Sequence, residues 1–397
     1  MDTTMNPAVT RHHVAVPQAD LDDLTARLAA ARLPGVLGDG SDETGFTTAS
    51  ARELLEHWRT RFDWRAAEAD LDALEHLLVD VGDGRRAHVV RALAAPAGRP
   101  VGVPLVLLHG WPDSFLRYRH LLGPLTAAGH DVYLPSLPGA AWSDQATGPA
   151  TVEDAATVIA AALTALGVGR FLVHGGDWGS AVAEQLALDL PEAVVALHLT
   201  DVPWQHFFTV ERADATDAEQ EFFARGDDWA FQAAYVSVQA TQTTTLALAL
   251  ADSPLGLAAW WAEKYAAWTD RPIDLDEVLT QVCLTWFTRT EHAGMRYYAA
   301  TGGSWDADDG PGTSPGTGGE GAWGEEAADS RGWGATVTQP VALAVFPADI
   351  HVPPREYAAR AFGDLRRFTL MPRGGHFGAL EEPDLLAADL LAFTRDL

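Results

Sequence analysis

Apolar segments of strand length alternate with helical patterns along much of this 397-residue chain. These segments occupy residues 103–110, 131–135, 170–174, 194–200, 340–346 and 365–372. Strands without a regular polar alternation are buried on both faces, which is typical of parallel sheets. The repeat of strand and helix therefore predicts an α/β fold, with a mainly parallel central sheet covered by helices on both sides.

The turn after the third segment displays a carboxylate. Residues 174–180 read His-Gly-Gly-Asp-Trp-Gly-Ser, in which Gly175, Asp177 and Gly179 give the spacing G-x-D-x-G. This is the strand-to-helix elbow of α/β-hydrolases, with Asp in place of the usual Ser, and the glycines leave room for a strained residue at its tip. A carboxylate there is a candidate nucleophile. The alternative is an ordinary solvated Gly-Gly-Asp turn, which the motif alone does not exclude.

Two further polar residues follow later strands. Asp349 comes shortly after the strand at 340–346, and His376 follows the strand at 365–372. The carboxyl ends of parallel strands meet at one edge of a sheet, so these residues are expected to converge with Asp177. Their chain order is nucleophile, acid, histidine, as in α/β-hydrolases. Taken singly, Asp349 has the plainer interpretation of a helix cap, and His376 that of a solvated turn residue.

This constellation predicts hydrolysis through a covalent ester on Asp177. A carboxylate is ionised at neutral pH and needs no base to attack a saturated carbon. His376 would then take a proton from the water that hydrolyses the ester, while Asp349 orients the imidazole. The backbone N–H groups of Trp111 and Trp178 are expected to bind the oxyanion. Neither a metal nor an organic cofactor is expected.

The alternation of strand and helix stops after residue 204. Residues 214–300 are mainly helical in pattern and rich in aromatic residues, which is typical of a cap over the carboxyl edge of the sheet. Gly, Asp, Ser, Glu and Pro dominate residues 301–334, a composition typical of flexible inserts. The predicted division is an N-terminal helical segment with a leading hairpin at 1–94, core at 95–205, helical cap at 206–300, insert at 301–335 and core at 336–397.

Whole-chain properties limit the partners and the location. The net charge of −28 repels phosphate backbones, so no nucleic-acid partner is expected. The single cysteine, Cys283, lies in an apolar run and is predicted to be a buried thiol, and no Cys/His cluster has zinc-ligand spacing. With no signal peptide and no apolar run of membrane length, the sequence predicts a cytoplasmic protein without a membrane anchor. A homodimer is one option that the sequence leaves open.

Several motifs are more specific than these patterns. They read His109-Gly-Trp-Pro-Asp-Ser, Gly175-Gly-Asp-Trp-Gly, Phe346-Pro-Ala-Asp and Gly374-Gly-His-Phe-Gly in the core, Phe62-Asp-Trp-Arg in the N-terminal segment and Glu263-Lys-Tyr in the cap. Together they resemble the microsomal-type epoxide hydrolase family of α/β-hydrolases over nearly the whole chain. The resemblance implies addition of water to a small-molecule epoxide, giving a vicinal diol. It also implies two cap tyrosines that hydrogen-bond the epoxide oxygen, matched by Tyr235 and Tyr298, with Tyr297 as the alternative to Tyr298.

The sequence also departs from the family pattern and leaves rivals open. Asp113 stands where glycine is usual, so an extra charge is expected near the mouth of the oxyanion loop. The closest alternative function is a haloalkane-type dehalogenase, in which the indole N–H of Trp178 would hold the halide. Another is a catalytically silent α/β-hydrolase that binds a hydrophobic ligand. The sequence does not identify the epoxide, the carbon attacked or the stereochemistry.

Overall fold

The computed structural model describes residues 8–35, 44–94, 102–209, 212–301 and 336–397. Within these ranges the strands form one nine-stranded sheet. The strands are β1 Val9–His12, β2 Glu75–Asp80, β3 Arg86–Ala92, β4 Leu105–Leu108, β5 Val132–Pro135, β6 Phe171–Gly175, β7 Val194–Leu199, β8 Val341–Val345 and β9 Leu365–Leu370. Their order across the sheet is β1-β2-β3-β5-β4-β6-β7-β8-β9.

The sheet has an antiparallel part and a larger parallel part. β1, β2, β3 and β5 pair antiparallel in that order, whereas the pairs from β5 through β4 to β9 are all parallel. Every residue of β4, β6 and β8 is buried, as expected for strands covered on both faces. The prediction of an α/β-hydrolase fold with a mainly parallel sheet is confirmed.

Helices connect the strands and form the segment between β7 and β8. Within the described ranges the α-helices are α1 Gln18–Ala29, α2 Thr48–Thr60, α3 Trp64–Asp72, α4 Leu122–Ala127, α5 Val152–Ala165, α6 Trp178–Asp189, α7 His206–Thr209, α8 Asp217–Gln232, α9 Ala234–Thr241, α10 Thr243–Asp252, α11 Pro254–Ala267, α12 Leu275–Thr288, α13 Ala293–Ala300, α14 Arg355–Ala361, α15 Gly378–Glu381 and α16 Pro383–Arg395. A 3₁₀ helix at Phe115–Leu121 precedes α4.

Local sequence explains where individual helices begin. The side chain of Thr151 accepts a hydrogen bond (3.1 Å) from the N–H of Asp154 at the start of α5. Before α11, the side chain of Ser253 accepts one (2.9 Å) from the N–H of Gly256, and Pro254 occupies the first helical position. Both side chains satisfy an N–H group that has no partner within the helix.

Two features near the N-terminus differ from the sequence-based expectation. The helical pattern that begins near Trp64 predicts a helix as far as Leu78, but helix α3 ends at Asp72, because the following residues pair with β3 as strand β2. Strand β1 was not predicted, since Val9 is its only buried residue and four residues give little pattern. Pairing with β2, where Val9 lies opposite Val79, holds this strand at the edge of the sheet.

The helices between β7 and β8 contact the loops at the carboxyl edge of the sheet. The hydroxyl of Tyr265 in α11 donates to the carbonyl oxygen of Pro112 (3.0 Å), in the loop after β4. The N–H of His376, in the loop after β9, donates to the carbonyl oxygen of Trp268 (2.8 Å). The predicted insert at 301–335 lies almost entirely outside the described residues. The division into N-terminal segment, core, cap and insert stays a prediction.

Cys283 is fully buried in α12 and is a free thiol, as predicted. Across the described part of the chain, no helix combines the length and the apolar character needed to cross a membrane.

Candidate active site

Asp177 stands at a strained turn between β6 and α6. Its φ of 57° is left-handed, a region that residues with a side chain rarely adopt. The glycines on either side allow the turn. A Cβ at Gly179 would lie 2.0 Å from the carbonyl oxygen of Leu108, and one at Gly175 would lie 2.2 Å from that of Gly179. The G-x-D-x-G spacing is therefore a steric requirement of this elbow.

One carboxylate oxygen of Asp177 is held by the backbone and the other faces the histidine. Oδ1 accepts a hydrogen bond (2.7 Å) from the N–H of Trp111, and the N–H of Trp178 also bonds this carboxylate. Oδ2 lies 3.7 Å from Nε2 of His376. Burial raises the pKa of Asp177, whereas His376 and the two N–H groups act in the opposite sense because they favour the carboxylate.

His376 is oriented by Asp349. Its Nδ1 lies 2.8 Å from Oδ1 of Asp349, which also accepts the N–H of Ile350 (2.7 Å). Nε2 is buried and has no hydrogen-bond partner among the described residues. Burial of His376 disfavours its charged form, but Asp349 and Asp177 outweigh this, so its pKa is raised above the ordinary value. The free Nε2 beside Asp177 is suited to bind and deprotonate a water molecule.

The two predicted cap tyrosines lie together above the elbow. Tyr235 in α9 stacks on the indole of Trp111 with ring centroids 5.2 Å apart, and the ring of Tyr298 in α13 meets Tyr235 edge-on at 5.9 Å. The two hydroxyls are hydrogen-bonded to each other. Burial and the nearby Asp177 raise the pKa of Tyr235, and burial with Tyr235 and Asp177 raises that of Tyr298. Both are therefore protonated hydrogen-bond donors at neutral pH.

Tyr298 and Tyr297 line different cavities. Tyr298 lines the cavity that contains Asp177, His376 and Tyr235. Tyr297 lines a second cavity behind Trp111 and Trp178, and its buried hydroxyl has no partner among the described residues. Of the two tyrosines that the sequence left as alternatives, only Tyr298 lines the cavity with Asp177.

Comparisons with known proteins point to one family. Residues 9–118 match the family model "Epoxide hydrolase N terminus", and residues 103–292 match "alpha/beta hydrolase fold". A protein of Stigmatella aurantiaca named as an epoxide hydrolase is 32% identical, over 98% of this chain and 85% of its own length. This chain belongs to the epoxide hydrolase family.

Other relatives agree with that assignment. Epoxide hydrolase 1 of Sus scrofa is 29% identical and the match covers 96% of this chain and 87% of that protein. The structure of Aspergillus niger epoxide hydrolase is 26% identical and covers 98% of this chain and 96% of that one, with a TM-score of 0.80. The roles of the individual residues in this epoxide hydrolase remain predictions.

The expectation for Asp113 is wrong. Its carboxylate does not add a charge near the mouth of the oxyanion loop of this epoxide hydrolase, because it is turned inward and buried. Oδ1 accepts the N–H of Gly110 (3.0 Å), and Oδ2 accepts the guanidinium of Arg117 (2.6 Å). Arg117 also donates to the carbonyl oxygen of His376. No sequence pattern indicated this pair, which joins the oxyanion loop to the histidine loop.

Asp201, directly after β7, is a site residue that the sequence analysis missed. Its Oδ1 accepts the N–H of Asp177 (3.1 Å), and its Oδ2 accepts the hydroxyl of Ser180 (3.1 Å). Burial, with the carboxylates of Asp349 and Asp177, raises the pKa of Asp201 to about 7. The signal was available, because a carboxylate at the end of a buried parallel strand is the pattern that identified Asp349.

The cavity above Asp177 has mainly aromatic and aliphatic walls. The space within it, including open solvent at its mouth, is about 620 Å³. Its apolar lining consists of Trp178, Val202, Trp204, Phe207, Trp229, Tyr235, Val236, Tyr298 and Ile350. Among the described residues, no group of three or more His, Cys, Asp or Glu side chains is arranged to hold a metal ion.

Proposed function

We propose that this enzyme adds water to an epoxide and releases a vicinal diol through a covalent ester on Asp177. The observation that supports it is that the two carboxylate oxygens of Asp177 have different partners. Oδ1 lies 2.7 Å from the Trp111 nitrogen, Oδ2 lies 3.7 Å from Nε2 of His376, and Asp177 lines the cavity. The family assignment supports the epoxide as substrate.

In the first step, Oδ2 of Asp177 attacks one epoxide carbon and the bond between that carbon and the ring oxygen breaks. The oxygen takes a proton from the tyrosine pair, so the products are a hydroxyalkyl ester and a tyrosinate. The high pKa of Tyr235, caused by burial and by Asp177, keeps its hydroxyl protonated until the alkoxide develops. Two donors at this position stabilise charge that appears only as the ring opens.

In the second step, His376 takes a proton from water as the water oxygen bonds to Cγ of Asp177. The oxyanion that forms is Oδ1, which the N–H of Trp111 already binds, and the N–H of Trp178 bonds the same carboxylate. Collapse breaks the bond between Cγ and the ester oxygen, and the departing alkoxide takes the proton from His376. The proton left on the Asp177 carboxyl returns to the tyrosinate, so the site regains its initial state.

The first test is a single turnover in water enriched in oxygen-18. We expect the heavy oxygen in the Asp177 carboxylate and an unlabelled diol, since the diol oxygen comes from Asp177. Label in the diol instead of in Asp177 would contradict the ester mechanism. Asp177→Ala should form no diol, whereas His376→Gln should accumulate the ester as an increase in intact mass.

The dehalogenase alternative is disfavoured by the surroundings of Trp178. The Tyr298 side chain is hydrogen-bonded to that of Trp178, so the indole N–H already has a partner. We expect no halide release from chloroalkanes or bromoalkanes. Halide release that survives Tyr298→Phe would support the alternative.

A further inference from the structure

One histidine on the cavity wall has no part in the proposed mechanism. His351 lies two residues after Asp349, between β8 and α14, and its ring lines the cavity that contains Asp177. Three aromatic rings surround it: Trp229 at 4.7 Å and Phe207 at 4.9 Å between ring centroids, and Phe222 at 6.4 Å. Packing on three sides fixes the orientation of the imidazole.

The ring nitrogens of His351 are not used by the protein. In the part of the chain that the structure describes, no hydrogen bond to either nitrogen is present, and neither nitrogen is among the buried atoms without a partner, because the side chain is partly exposed to the cavity. Burial lowers the pKa of His351 to about 4, with Asp349 opposing and His376 reinforcing the shift. At neutral pH the imidazole is uncharged and offers one N–H donor and one nitrogen acceptor. Because the side chain is partly exposed to the cavity, a bound molecule can reach these atoms without displacing a contact within the protein.

The position of His351 relates it to the reacting centre. The ring of Trp229 contacts both His351, at 4.7 Å, and Tyr235, at 6.2 Å. Tyr235 in turn packs on Trp111, whose N–H binds the nucleophile. His351 therefore shares the indole of Trp229 with Tyr235, which is expected to bind the epoxide oxygen. A molecule that spans both points needs an apolar, ring-like middle portion to contact the indole.

We propose that His351 determines specificity by hydrogen-bonding an uncharged polar substituent, such as a hydroxyl, on the far side of an aryl epoxide. The proposal rests on the proposed function and names its substrate class. A neutral partner fits, because the imidazole is neutral and the carboxylates of Asp177, Asp349 and Asp201 lie in the same cavity and would repel an anion. The aromatic walls supply the stacking surface for the aryl ring.

The test compares two epoxides of nearly equal size, 4-(hydroxymethyl)styrene oxide and 4-ethylstyrene oxide. The wild-type enzyme should have a kcat/KM roughly 3- to 10-fold higher for the hydroxymethyl compound, the value of one neutral hydrogen bond. His351→Phe should abolish that preference through KM and leave kcat/KM for the ethyl compound within about twofold. His351→Gln, which keeps a donor and an acceptor, should retain part of the preference.

Several results would overturn the assignment. An equal loss for both epoxides in His351→Phe would indicate a packing role, and an unchanged preference would show that His351 does not contact the substituent. Calorimetric dissociation constants of the two diols test the same preference for the hydroxymethyl compound over the ethyl compound without turnover. If neither epoxide is converted to its diol, but the hydroxymethyl diol still binds more tightly than the ethyl diol, the proposed function is refuted and the binding role of His351 is not.

Discussion

In the core half of the active site directional hydrogen bonds hold the functional side chains, whereas in the cap half the functional side chains rest on aromatic rings. The core half comprises Asp177, Asp349 and His376 with their loops, where hydrogen bonds of 2.7–2.8 Å fix Asp177 and His376. The cap half comprises Tyr235 and Tyr298 with the surrounding rings, whose centroids lie 5.1–6.2 Å from those of the two tyrosines. Directional bonds tolerate little displacement, while ring contacts tolerate more.

This difference suggests how a family keeps one chemistry while its members accept different substrates. The nucleophile, base and oxyanion donors need positions accurate to a fraction of an ångström. The cavity wall needs only a suitable shape and a few polar contacts. Substitutions in the core half should therefore alter stability and turnover strongly, and substitutions in the cap half should have smaller effects.

The largest effect is expected for Arg117→Met in the core half. Arg117 and Asp113 are almost inaccessible, with side-chain exposures of 2% and 0%. Removal of one partner leaves a buried charge unpaired, so the free energy of unfolding should fall by about 3–5 kcal/mol. Diol formation should fall as well, because Arg117 also donates to the carbonyl oxygen of His376. Urea unfolding and steady-state kinetics measure the two effects.

Two further variants make this test specific. Arg366→Met removes an ion pair with Asp364 whose side chains are 49% and 41% exposed, so it should change the free energy of unfolding by less than about 1 kcal/mol. Arg117→Lys keeps the charge and should remain folded if Arg117→Met does not. Equal effects of Arg117→Met and Arg366→Met would refute the importance of the buried pair.

The next effect is a pH dependence that Asp201 introduces into the core half. Burial and two carboxylates raise its pKa to about 7 in the folded protein, whereas an unfolded aspartate titrates near 4. Between these values the folded state holds a proton that the unfolded state has released. The free energy of unfolding should therefore fall as the pH rises from about 4 to 7. Above pH 7, where Asp201 is ionised in both states, the decrease is complete.

Asp201→Asn should remove this contribution. Between pH 4 and 7 the free energy of unfolding should change less with pH in the variant than in the wild type. Above pH 7 the variant should be less destabilised relative to the wild type than at pH 4, or more stable than the wild type. His376, whose raised pKa also makes the free energy of unfolding fall with rising pH, is present in both proteins. Parallel curves for the two proteins would show that Asp201 does not titrate in this window.

The sequence identified the core half better than the cap half for a physical reason. Strand ends in a parallel sheet must meet at one edge, so Asp177, Asp349 and His376 could be brought together without coordinates. Asp201 satisfied the same rule and was overlooked. To choose between Tyr297 and Tyr298, one must know which face of α13 packs against the core. No local sequence pattern contains that information.

Other features depend on tertiary contacts alone. Asp113 and Arg117 are four residues apart, but the direction of their side chains follows from packing behind the oxyanion loop. Strand β1 forms because it can pair with the otherwise unpaired edge of β2. The ring cluster around His351 draws Phe207, Phe222 and Trp229 from α7 and α8, far away in the chain. Charge and spacing in the sequence do not encode these contacts.

The smallest effect is expected for Lys264, the only lysine of the chain, in the cap half. Its ammonium lies 4.5 Å from the ring centroid of Tyr235 and 5.5 Å from that of Trp268, and it pairs with Glu263. A partly desolvated cation over aromatic rings contributes about 1–2 kcal/mol. Lys264→Met keeps the apolar stem, so the free energy of unfolding should fall by about that amount and kcat should fall only a few-fold.

Lys264→Arg is the matched control, because it retains a cation over the same rings and should stay close to the wild type. Since the chain has one lysine, protein labelled with carbon-13 in lysine alone gives a single set of side-chain NMR signals. Their upfield ring-current shift should report directly on the contact with Tyr235. A loss of kcat beyond a hundredfold at unchanged stability would contradict the comparison, since it would place in the cap half a group as indispensable as those of the core.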